Sequence, residues 1–247
     1  MLVSDLLAEL RNNMLRDVSR LVGGSGDQLW SDTTLYSYIN EAYQRFARLT
    51  FCIRDMTTAS VTQITLQTGI DLYTLDPSIL GVYSVKYNTD LFDLGRVGHA
   101  ALNYYMPPDT TFWDINAVAV LAPGRPMYVS TDESTLTLRV YPTPSPTENG
   151  NLLYLRVARL PLVTINATNA ALTPDILPEY QLYPLEWAAW RALSNDMIGD
   201  EDKIAEKRNV RKANFDMYVD EVKRDIKRRN FAPNDWQFGR NGFAWAR

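Results

Sequence analysis

Few side chains in this chain have the type and spacing that chemistry needs. His99, the one histidine, stands between Gly98 and Ala100. No second histidine makes a HExxH pair, and no Cys/His spacing suits a structural metal. A Ser/His/Asp set has no sequence support either. Asp196, Asp200, Glu201 and Asp202 lie close together and are of the type that binds calcium or moves protons, yet they lack the alternating ligand pattern of a calcium loop. Their place at a helix junction fits capping. Asp109, Asp114, Asp132 and Glu133 have the right type for the paired carboxylates of a sugar hydrolase, but they fit loop tips better. Gly23-Gly24-Ser25-Gly26 lacks the Gly-Lys-Ser/Thr of a phosphate loop and follows no strand, so it reads as a helix-to-helix turn. The one cysteine, Cys52, rules out an internal disulfide and fits a small apolar side chain in a reducing compartment. We expect no catalytic residue, no cofactor and no metal, hence no enzyme.

Binding chemistry is concentrated at the C-terminal end instead. Asn230 to Arg247 carry Phe231, Trp236, Phe238, Phe243 and Trp245 together with Arg240 and Arg247, and they follow no helical or strand period. Such a segment either tucks against its own domain or docks on another chain as an extended arm, because large rings dominate interface energetics. Gly239 and Gly242 keep it pliable. Just before it, Lys223 to Arg229 form a basic run broken by Asp225. That run suits either a phosphate contact or the cation preference of a helix C-terminus.

Charge is split along the chain. Residues 203–247 hold 12 Lys and Arg against 6 Asp and Glu, which leaves 13 against 23 for residues 1–202. Opposite charges on two ends suit head-to-tail contacts between copies, whereas a nucleic-acid binder is more often basic over a whole face. The 247 residues, 46% apolar and 22% charged, place the chain among folded soluble proteins of one large or two modest domains. Apolar runs of about 18 residues are absent, and the N-terminal stretch has no basic leader, so neither a membrane span nor a secretion signal is expected.

Three segments must position these groups. From Ser4, a good cap, Leu6, Leu10, Met14, Val18 and Leu21 fall near a 3.6-residue stripe that stops at Gly23. A second cap at Ser31 or Asp32 opens Leu35, Ile39, Ala42, Phe46 and Leu49, flanked by Tyr36 and Tyr43. Between about residues 59 and 171 the period changes to two: Val61 to Leu66, Val82 to Val85, Ala117 to Val120, Thr135 to Val140 and Leu152 to Val157 read as strands. The last two, joined by a turn-rich stretch, suggest a hairpin with a long tip. Arg96 to Tyr105 could form a short helix. Helix returns with Leu182, Leu185, Ala189, Leu193 and Met197, beside Trp187 and Trp190, and a last long helix is capped at Asp200. Its apolar positions are Ile204, Phe215, Tyr218, Val219, Val222 and Ile226. The expected class is α+β: a helical bundle from 1–58 and 172–229, an inserted antiparallel β-rich domain over 59–171, and the arm over 230–247.

In this order the segments resemble a known family. Leu29 to Ala47 (LWSDTTLYSYINEAYQRFA) is similar to the opening helix of head-to-tail adaptor proteins of tailed bacteriophages, the connector or neck proteins that include the tail tubular proteins of short-tailed phages. Tyr73-Thr74-Leu75-Asp76-Pro77 with Val82 to Tyr87, then Gly124-Arg125-Pro126-Met127-Tyr128, then Leu138 to Pro144, resemble that family's β portion. Leu177-Pro178-Glu179-Tyr180 leading to Trp187-Ala188-Ala189-Trp190-Arg191-Ala192 closes the pattern, which spans roughly residues 28–220.

The resemblance implies a structural virion protein at the head-tail junction, made in the bacterial host cytoplasm. Such proteins assemble as a ring, usually dodecameric, beneath the portal protein after DNA packaging. They extend the channel and give the tail, nozzle or other neck proteins a platform. Viral double-stranded DNA passes through without specific binding, so lumen-facing side chains should be acidic or neutral. C-terminal segments of the family commonly run along the portal. By that analogy Phe231, Trp236, Phe238, Phe243 and Trp245 would be docking anchors, with Arg240 and Arg247 pairing acidic portal groups. A helical protein that binds DNA through the basic end of the last helix remains the alternative.

Overall fold

The computed structural model describes residues 1–16, 29–88, 90–96, 122–132, 135–195 and 201–230, the last stretch by its backbone alone at 201–203 and 230. It has the α+β class, with helices towards both ends of the chain and sheets between them. The chain divides into two compact units: Met1–Cys52 with Pro161–Arg247, and Ile53–Leu160. The borders fall earlier than 58/59 and 171/172 because local pairing draws each flank across. Arg54 and Asp55 pair as a strand with Ala158 and Val157. Beyond Pro161, the Leu162 N–H donates to the Asp175 carboxylate at 2.6 Å and the Ile165 N–H to Asn40 Oδ1 at 3.1 Å.

In the helical unit, α1 runs over Val3–Glu9 and continues as π-type turns over Leu10–Leu15. The helix opens at Leu2 rather than Ser4. Asp5 reaches back to accept from the Leu2 N–H at 2.8 Å, while the Val3 and Ser4 N–H groups donate to the carbonyls of Leu172 and Ala170. Three donors at the helix start are thus satisfied without a serine cap. The buried Arg11 guanidinium donates to the Trp30 carbonyl at 3.0 Å and to Asp32 at 2.6 Å, which ties this helix to the start of the next.

Helix α2, Asp32–Thr50, is capped by Ser31, whose hydroxyl accepts from the Thr34 N–H at 3.1 Å. It buries Leu35, Ile39, Ala42, Tyr43, Phe46 and Thr50. Tyr43, expected on the flank, is therefore in the core, and Leu49, expected in the stripe, faces outward. The exchange has a polar reason, since the Tyr43 hydroxyl donates to the Gln181 carbonyl. In the β unit, Ala59–Thr62 forms a short helical turn, α3. Helix α4, Tyr183–Asn195, starts with Pro184 in its first turn and buries Leu185, Trp187, Ala188, Ala189 and Ala192. Helix α5, Glu201–Asn230, ends on Lys227, Arg228 and Arg229, which complement the backbone dipole. It buries Phe215, Val219 and Val222.

In the β unit the strands are β1 Arg54–Asp55, β2 Gln63–Thr65, β3 Leu72–Thr74, β4 Ile79–Tyr87, β5 Gly95–Arg96, β6 Tyr128–Asp132, β7 Thr137–Tyr141 and β8 Leu152–Arg159. In one sheet β8 pairs antiparallel with β1, β2 and β4; the other runs β3-β7-β6-β5, with β5 parallel to β6. Their apolar faces share one core: Val82, Val85 and Tyr87 from β4, Leu153, Leu155 and Val157 from β8, Leu138 and Val140 from β7, and Val129 from β6. The hairpin expected of β7 and β8 is corrected, because the two strands lie in different sheets. Each has an apolar face for the same core, and the intervening stretch, with a helical turn at Pro146–Glu148 and a left-handed Gly150, carries the chain from one sheet to the other. The strand expected from Val61 starts only at Gln63, where α3 ends. Of the short helix expected over Arg96 to Tyr105 only Arg96 is described, as the end of strand β5; 97–105 lie outside the described residues, as does the strand expected over Ala117 to Val120.

Candidate assembly surface

The C-terminal half of α5 leads to the last described residue, and its position follows from an aromatic seam. The Phe46 ring of α2 meets Tyr183 and Phe215 edge-on, at centroid separations of 6.5 Å and 6.1 Å. Trp187 lies 5.3 Å from Phe215 and 4.3 Å from Trp190. Tyr183 stacks flat on Tyr218 at 4.1 Å and 7°. These edge-on, tilted and stacked ring contacts pack three helices against each other. Arg45 covers the outside of Trp187, its guanidinium 4.0 Å from the ring centroid.

Two polar clamps then fix the register of α5. Near its middle, Arg211 donates to both oxygens of Glu186, at 3.0 and 3.1 Å, and to the Met14 carbonyl at 3.1 Å. Glu186 is only 6% exposed, so this pairing neutralises a carboxylate that burial would otherwise disfavour. At the far end the Tyr180 hydroxyl donates to the Asp225 carboxylate. Arg229 donates to Glu179 at 2.5 Å and to Asp225 at 3.1 Å, and its guanidinium lies 5.8 Å from the Tyr180 ring. Burial, then the hydrogen bond to Asp225, raises the Tyr180 hydroxyl above the usual phenol range. The Tyr180 hydrogen bond and Arg229 hold Asp225 below the usual carboxylate value. The last described turn is thereby anchored immediately before the aromatic segment.

The basic run is smaller than its sequence suggests. Arg229 is held by Glu179 and Asp225, and Arg224 donates to the Asp220 carbonyl at 3.2 Å. Lys223, Lys227 and Arg228 stay exposed, with Asp220 and Glu221 exposed beside them.

Phe231, Trp236, Phe238, Arg240, Phe243, Trp245 and Arg247 lie outside the described residues, as do His99, Gly23 to Gly26, Asp109, Asp114, Glu133, Asp196 and Asp200. Asp132 belongs to β6, in the β unit. Cys52 is buried, and that burial pushes its thiol up from the ordinary value. Among the described residues, no cluster of three or more His, Cys, Asp or Glu could hold a metal ion, and no helix is long and apolar enough to cross a membrane. Sequence reading missed the clamp formed by Glu179, Tyr180, Asp225 and Arg229. The spacing of Asp225 and Arg229, one helical turn apart, was its only visible half.

A family model described as SU10 adaptor protein matches residues 1–237. No curated protein matches the chain.

Proposed function

The chain belongs to the SU10 adaptor protein family, and on that premise we propose that it closes into a ring beneath the portal and carries the tail or nozzle. Membership gives the coarser statement directly: this is a phage adaptor, a structural protein associated with the virion that works through contacts with other capsid and tail proteins. The reading rests chiefly on that match, which covers residues of both units and runs into the aromatic segment.

In the proposed ring, usually dodecameric by family analogy, each copy repeats one contact that uses two different patches. DNA passes through the centre without specific binding. Phe231, Trp236, Phe238, Phe243 and Trp245 insert into portal grooves, while Arg240 and Arg247 pair with portal carboxylates. The clamp on α5 supports this assignment, because it holds Arg229 in place and so gives the following arm a defined point of departure. Well-packed aromatic and arginine anchors of this kind dominate interface energies.

Native mass spectrometry of the chain alone and mixed with purified portal rings tests the reading. The expected result is a stoichiometric ring of copies added to the portal. A chain that ignores portal would contradict it. Exposed Lys223, Lys227 and Arg228 favour the rival, DNA binding through the end of α5. The rival requires affinity for duplex DNA that falls steeply with salt.

A further inference from the structure

The two most exposed large apolar side chains among the described residues are neighbours at one tip of the β unit: Leu91 at 85% and Phe92 at 82%. Their turn is built to hold them out. After β4 the Asp90 N–H donates to the Tyr87 carbonyl at 3.0 Å, with Asn88 in the left-handed region at φ 47°. The chain then returns antiparallel, Asp93 opposite Lys86, and the Leu94 N–H donates to the Val85 carbonyl at 2.7 Å. Arg125 braces the turn from the side, ion-paired with Asp90 and 4.6 Å above the Tyr87 ring. Tyr87 is itself tied to Glu148 and Asn151. Leu91 and Phe92 thus form a preorganised apolar wedge. Beside them Asp93 is exposed, and no ion pair engages it among the described residues.

A surface of matching character lies in the helical unit. Helix α2 ends at Phe51, in the left-handed region, with Leu49 37% and Phe51 40% exposed. Arg45 and Arg48 are exposed on the same final turns. Among the described residues neither pairs with a carboxylate, and Arg45 lies over Trp187. One chain therefore presents an apolar tip with the carboxylate of Asp93 beside it, opposite Lys86, and an apolar helix end with Arg45 and Arg48 beside it. Two different, complementary patches on a single chain are what a heterologous contact between copies requires.

We propose that the Leu91–Phe92 wedge of one copy seats on the Leu49–Phe51 patch of the next, with Asp93 meeting Arg48, and that this contact closes the ring. The inference rests on the ring reading above and names the surfaces that build it. Preorganisation of the tip limits the entropy lost on docking.

Charge exchange provides the test. Phe92→Asp, Asp93→Arg, Arg48→Asp and the double variant Asp93→Arg/Arg48→Asp are compared with the natural chain. Sedimentation velocity follows the protein alone, and native mass spectrometry follows it on purified portal rings. All substituted side chains are exposed, so circular-dichroism melts should match the natural chain. Each single variant should weaken copy-to-copy association about tenfold or more, and the double variant should recover most of the loss. Rings formed by Phe92→Asp as readily as by the natural chain would overturn the contact and leave the ring reading standing. A double variant no better than either single one would likewise overturn the Asp93–Arg48 pairing. A natural chain that never associates, alone or on portal, would overturn both.

Discussion

Asp55 and Arg159 stand 104 residues apart in sequence and 2.6 Å apart in the fold, both nearly buried. Burial works against the Asp55 charge. Hydrogen bonds from Thr57, Thr58 and Arg159 outweigh it and hold the carboxyl well below its usual range. Removing one partner leaves the other charged and unsatisfied, so Arg159→Leu should destabilise the β unit by about 3–5 kcal/mol in urea unfolding. The pH dependence has a definite sign. A depressed folded value means that stability from ionised Asp55 is fully present above about pH 4, the unfolded carboxylate value, and fades as pH falls through the folded one. The gap between the natural chain and Asp55→Asn should therefore be wide at neutral pH and close on acidification below about pH 4, as urea midpoints across that range will show. Neither residue stood out in the sequence, because a long-range ion pair leaves no local period or spacing to read. Tyr43 was misplaced for a related reason: its hydroxyl finds the Gln181 carbonyl, an acceptor that no helical wheel contains.

Elements with both a period and punctuation were the most legible. The Ser31 cap, the Leu35-Ile39-Ala42-Phe46 stripe and the basic end of α5 each announced their element, and each lies where those signals put it. The places of β4, β7 and β8 were legible too, but their ends and their partners were not. β7 and β8 alternate cleanly and are joined by a turn-rich stretch, yet they face each other from two sheets, since alternation fixes a face and not a neighbour. At this scale α5 depends on its seam more than on its own sequence, which is strongly charged. Phe215→Ala should cost about 3–5 kcal/mol, measured by thermal or urea unfolding, because the ring is 1% exposed and touches both Phe46 and Trp187. Tyr180→Phe should cost only about 1 kcal/mol while speeding amide exchange in the last turns of α5. Unchanged exchange there would show that the clamp does not secure the helix end.

At the scale of the whole molecule, the division of labour among segments was legible as composition: acidic excess before residue 203, basic excess after it, and aromatics gathered beyond Asn230. The unit borders were harder to read, because pairing of β1 with β8 and the contact of Ile165 with Asn40 are tertiary events. The wedge at Leu91–Phe92 also escaped notice, since two adjacent apolar residues look the same whether the fold covers them or not. If the aromatic segment is the portal arm, deleting residues 231–247 should abolish portal binding in pull-downs while leaving the melting profile of both units unchanged. Portal binding that survives the deletion would move the anchors elsewhere. The most direct test of the adaptor account is cryo-electron microscopy of intact particles of the phage that encodes this chain. The account predicts density for its helical and β units repeated as a ring directly below the portal, with the C-terminal segment running along the portal surface. Particles that lack the chain, or carry it away from the head-tail junction, would contradict it.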